Sequence, residues 1–244
     1  MTDEQSPTPN PYNNDPPFYD GDEFYDSAPE IVDEGEDIQK DRRESTYRST
    51  ASDPLFGLLI AGALSIGLTP LTNTDADMRY TLVWGLLALF GVVSWLLGDG
   101  PRIGEETPEN LAWGIAFGLI LGMPLLAFGG KTLTETSDLL FLDMRPGTLL
   151  AFAVFVMPLA ETLFFRGILQ KNYLFWITAL IATGWNLILF FPLMNRGPYP
   201  LIIGVLLLMA NNMYGYVRDR NGLAAAWLCQ IVVNILLFFV PVAG

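Results

Sequence analysis

The chain has 244 residues, half of them apolar, and a formal net charge of −13 with no histidine. That balance suits neither an ordinary soluble domain nor a nucleic-acid binder. It also excludes His-based zinc sites, Ser-His and Cys-His nucleophilic pairs, and the commonest general base at neutral pH. The charge is segregated: residues 1–53 hold 15 of the 26 acids and four of the 13 bases, so this segment carries −11 and the remainder only −2.

Residues 1–53 are rich in Asp, Glu, Pro, Asn and Ser and lack aliphatic periodicity, which predicts a disordered acidic tail that cannot bury enough surface to offset its chain entropy. It has neither the basic start nor the apolar core of a signal peptide. Within it, Phe18-Tyr19-Asp20 recurs as Phe24-Tyr25-Asp26. The repeat reads either as a solvated stretch with incidental aromatics or as a docking segment for a cytoplasmic partner.

From residue 54 the composition becomes that of a membrane domain. Apolar runs near the roughly 20 residues a bilayer requires recur at 55–71, 80–98, 110–128, 147–166, 173–194, 199–217 and 222–241. The expected fold is therefore an all-α polytopic bundle of about seven transmembrane helices, with three in residues 54–146 and four in 147–244. Pro, Gly and charge clusters punctuate the runs as loops do. "GIAFGLILG" places Gly114, Gly118 and Gly122 on one helical face, a seam for close packing.

Orientation follows from the bases, which flanking loops retain on the cytoplasmic side. With the N-terminus inside, Lys40, Arg42, Arg43, Arg48, Arg102, Arg166, Lys171, Arg218 and Arg220 face inward, against Arg79, Lys131, Arg145 and Arg196 outside. This predicts an integral protein of the plasma or another inner membrane, N-terminus cytoplasmic and C-terminus opposite.

Polar residues inside spans face the bundle interior or a wet cavity. After residue 150 they are Glu161, Thr162, Asn186, Asn211, Asn212, Gln230 and Asn234. The asparagines at 186, 211 and 212 read as interhelical hydrogen-bond glue. Gln230 and Asn234 are four apart and share a helix face. Pro158 leaves the carbonyl of Val154 without its α-helical donor, opening backbone just before Glu161. Arg166 follows Glu161 by five residues, not quite on its face, and is long enough to reach back or to snorkel to the interface. Cys229, the lone cysteine, reads as a small buried hydrophobe.

"AETLFFRGILQ", followed some sixty residues later by "GYVRDRNGLAAAWLCQIVVN", resembles the CAAX-protease and bacteriocin-processing (CPBP, or Abi) intramembrane endopeptidases over residues 147–241. The resemblance implies a glutamate-centred hydrolase in which Glu161, Arg166 and Asn234 match family site residues. Gln230 stands at the family's last histidine, and Thr162 at its second glutamate. The middle motif has Trp185 and Leu189 where the family has Phe and His. A missing oxyanion donor costs about a hundred- to a thousandfold in rate, and a missing proton-transfer group about a hundred- to ten-thousandfold. The expectation is a pseudo-protease that binds a membrane protein or peptide partner with the tail as tether. The alternatives are an active glutamate-dependent endopeptidase and an assembly subunit of a larger membrane complex. No cofactor, metal or nucleic acid is expected; the lipid bilayer is.

Overall fold

The computed structural model describes residues 54–96, 106–141, 144–191 and 199–243. The acidic segment and its Phe18-Tyr19-Asp20 and Phe24-Tyr25-Asp26 repeat lie outside the described residues. The described residues belong to one compact unit.

Among the described residues the chain forms seven helical rods. α1 (Pro54–Gly67) runs out into a 3₁₀ turn, Thr69–Asn73, that carries Pro70. Asp75 then caps α2 (Ala76–Ser94), its side chain accepting from Met78 N at 3.0 Å. α3 (Pro108–Leu140) starts on a Thr107 cap with Pro108 at its first position, where a missing N–H costs nothing. α4 is continuous over Pro146–Asn172. α5 (Phe175–Phe190) and α6 (Tyr199–Asn221) follow. Gly222, at φ 96°, makes the turn into α7, which begins with Leu223–Asn234 and continues through Ile235–Phe239.

Ala76–Ser94, Pro108–Leu140, Pro146–Asn172 and Leu201–Asn221 are long and apolar enough to cross a membrane. Side chains such as Phe128, 93% exposed, point outward as a lipid-facing surface allows. The chain is an all-helical membrane bundle.

Two apolar clusters flank α4. On one side Tyr80, Trp84 and Leu87 of α2 pack with Phe152, Phe164 and Phe165 of α4 and with Trp185 and Phe190 of α5. The Trp84 ring lies 5.2 Å from Tyr80 and 5.9 Å from Phe152, centroid to centroid. On the other side Tyr214 and Val217 of α6 pack with Ala225, Cys229 and Val233 of α7 and Leu121 of α3. The glycine seam lies in the α3–α7 contact: a Cβ on Gly114 would stand 2.2 Å from Ala225 O.

Two expectations change. The third span, placed at 110–128, continues as helix to Leu140. At 33 residues it is about 50 Å long, well past the hydrocarbon core of about 30 Å. Its polar last turns are helical because Leu133 and Leu140 stay buried, while Thr134 and Ser137 donate to Pro241 O and Leu237 O at 3.3 and 3.1 Å. Arg79, counted among the outside flanking bases, is instead wholly buried. Its Nη2 donates to Leu189 O at 2.8 Å and to Ser65 O and Oγ at 3.3 Å, joining α2 to α1 and α5.

Candidate functional site

The winding of α4 sets the site. Phe152–Val156 and Thr162–Leu169 are π-helical, with only Met157–Glu161 α-helical between them. Met157 N donates to Phe152 O, five residues back. In that register the carbonyl left without a donor by Pro158 is Ala153 O rather than the Val154 O expected of an α-helix. Asn234 of α7 supplies the missing donor, its Nδ2 reaching Ala153 O at 3.3 Å. A third π segment, Ile235–Phe239, begins directly after it.

Glu161 is 3% exposed. Trp84 Nε1 donates to its Oε1 at 3.2 Å and Gln230 Nε2 to its Oε2 at 2.7 Å. Asn186 of α5 faces the same carboxylate. The Gln230 amide is held at both ends, because its Oε1 accepts from Thr162 Oγ1 at 3.1 Å. One carboxylate thus ties α4 to α2, α5 and α7.

Arg166 is buried and neither reaches Glu161 nor snorkels to an interface. Among the described residues the ion pairs are Lys131–Glu135 and Arg218–Asp219. Five residues would set Glu161 and Arg166 about 140° apart around an α-helix; the looser π winding narrows that separation. The guanidinium nevertheless turns to α6, where Nη2 donates to Asn211 Oδ1 and Cζ stands 5.2 Å from the Tyr214 ring centroid. Asn211 Nδ2 passes the chain of bonds to Thr183 Oγ1 of α5 at 3.1 Å. Arg218 Nε holds the Arg166 carbonyl at 3.1 Å, and Gln170 Nε2 meets Asp219 Oδ1 at 2.8 Å, which fastens the end of α4 to the end of α6.

Glu161, Asn186, Asn211, Tyr214, Gln230 and Asn234 line a cavity of about 50 Å³ whose remaining walls are apolar but for Thr136. The structure therefore brings Glu161, Gln230 and Asn234 together and sets Arg166 beside them, in contact with the cavity residues Asn211 and Tyr214. It departs from the sequence reading on α5. The side chain facing Glu161 is Asn186, whereas Leu189 packs in the core with its carbonyl on Arg79. Trp84 was not expected at the site. A tryptophan in a membrane span carries no mark of its partner, while Asn186, a polar residue deep in α5, was visible but read as glue.

Set against known proteins, the chain matches no family model, no curated protein and no solved structure.

The Asn234–Ala153 bond makes a direct test of the π register. Asn234→Leu leaves a buried carbonyl without a donor and should destabilise the bundle by about 1–3 kcal/mol. Adding Pro158→Ala restores a backbone N–H, so the double variant should lose less stability than the sum of the two single changes. Unfolding midpoints of the four proteins in detergent decide it; strict additivity would refute the register argument.

Proposed function

We propose that this protein is a divergent, catalytically silent relative of the CPBP intramembrane endopeptidases that acts by binding a membrane protein or a membrane-embedded peptide, with the acidic N-terminal segment as cytoplasmic tether. The observation carrying this reading is that the groups needed for hydrolysis are engaged internally. Both carboxylate oxygens of Glu161 accept N–H donors, Gln230 is bonded at both ends, Asn234 serves the backbone, and Arg166 serves Asn211. The two departures at Thr162 and Gln230 are hydrogen-bonded to each other, so each substitution gives the other a partner. Across from Glu161 the side chain is Asn186, a carboxamide without a general base's proton affinity.

The reading includes a seven-pass topology with the N-terminus in the cytoplasm and the C-terminus opposite, in the plasma or another inner membrane. Lys171 at the end of α4 and Arg218 and Arg220 at the end of α6 fall at one end of the bundle, which the Gln170–Asp219 bond joins. Buried Arg79 and Arg166 leave the count of flanking bases, and the asymmetry survives without them.

Detergent-purified wild type and Glu161→Gln, incubated with pooled membrane and prenylated peptides and read by mass spectrometry, should both leave the pool intact. A stoichiometric membrane partner should co-purify from native membranes and be lost on deleting residues 1–50. Cleavage by wild type that vanishes in Glu161→Gln would overturn the proposal and reinstate a histidine-free protease.

A further inference from the structure

The cavity beside Glu161 has a lining out of keeping with its size. Cavities that stay dry are apolar, and one with several polar groups and room for water fills with it. This one is far below the roughly 300–1,000 Å³ of small-molecule pockets, and although most of its wall is apolar, a carboxylate, four carboxamides, a tyrosine and Thr136 face it. A cavity needs about 10–15 Å³ to hold a water, and a volume of about 50 Å³ clears that threshold.

The internal hydrogen bonds leave acceptors over. Asn234 gives its Nδ2 to Ala153 O and keeps Oδ1; Asn186 gives its Nδ2 to Ala182 O and keeps Oδ1. With Trp84, Gln230 and Asn186 set against it, the Glu161 carboxylate keeps one of its four lone-pair positions free. The occupant must therefore donate hydrogen bonds, be small, and accept at least one in return from Tyr214. Water meets all three conditions.

We infer that this cavity is a bound-water site: ordered water bridging Glu161, Asn186 and Asn234 to the Tyr214 hydroxyl, and so linking α4, α5, α6 and α7 through shared solvent in the bundle interior. The inference does not depend on whether the bundle hydrolyses anything, and the cleavage assay cannot decide it.

Radiolytic labelling of the full-length protein reconstituted in lipid vesicles tests it, because hydroxyl radicals formed from water in place oxidise the side chains that water touches. Tyr214 and Tyr80 make the comparison, being the same residue type at 4% and 0% exposure. Tyr80 donates to Leu140 O at 2.6 Å and does not line the cavity. Tyr214 and the cavity residue Met157 should be oxidised severalfold faster than Tyr80, and Asn186→Leu, which takes up cavity space, should slow both. Labelling of Tyr214 no faster than that of Tyr80 would overturn the inference. So would fast labelling of Tyr214 that a folded Asn186→Leu protein leaves unchanged, since the water would then lie elsewhere. Should Asn186→Leu fail to fold, the two tyrosines of the wild type decide it alone.

Discussion

Replacing Gly114 with alanine should destabilise the bundle by about 3 kcal/mol, the upper end of overpacking costs, and larger side chains should prevent folding. The added Cβ would stand 2.2 Å from Ala225 O and 2.9 Å from Ala225 C and Cα. These are backbone atoms of α7, so relief requires the helices to separate. Gly118 is less severe: its Cβ would meet Val232 Cβ at 2.8 Å and Cys229 O at 3.0 Å, for a cost of about 1–3 kcal/mol. At Gly122 the nearest atom is Leu236 Cδ1 at 2.6 Å, the far end of a flexible side chain. There the gain of about 1 kcal/mol in helix propensity should leave Gly122→Ala close to neutral. Unfolding midpoints in detergent should fall in the order 114, 118, 122. Equal effects at the three positions would mean that α3 does not approach α7 most closely at its N-terminal end.

The seam was legible in the sequence because three glycines at intervals of four can only mark one helix face. The helices were legible for a related reason: a bilayer demands long apolar runs, and each predicted run coincides with a rod, four of them long and apolar enough to cross a membrane. What misled was polarity at the ends. "KTLTETSDLL" has the composition of a loop, yet Leu133 and Leu140 keep its inner face buried while Thr134 and Ser137 satisfy carbonyls of α7. Arg79 looked like an interfacial base because a buried guanidinium is improbable until its acceptors, Ser65 and Leu189 O, are known. Glu161, Gln230 and Asn234 announced themselves as polar groups in apolar helices. Trp84 did not, nor did the π winding that moves the orphaned carbonyl from Val154 to Ala153, because both depend on contacts between helices distant in sequence.

Glu161 should tolerate an amide and not an apolar side chain. Glu161→Leu leaves Trp84 Nε1 and Gln230 Nε2 buried without an acceptor. At about 1–3 kcal/mol for each stranded donor, the loss should reach about 3–5 kcal/mol. Glu161→Gln sets an NH₂ group against one of those donors, a clash that the neighbouring groups can resolve. Gln230 can turn over to present its oxygen to the new amide, and its own NH₂ then faces Thr162 Oγ1, a hydroxyl able to rotate from donor to acceptor. The cost should then be about 1 kcal/mol, the scale of one rearranged hydrogen bond. The rescue rests on Thr162. Thr162→Val alone removes one donor to Gln230; combined with Glu161→Gln it leaves the turned amide without an acceptor. The double variant should therefore be less stable than the sum of the singles by about 1–2 kcal/mol, within the usual range for residues of one network. Additive effects would show that Gln230 does not turn and that the carboxylate, Gln230 and Thr162 do not act as a unit.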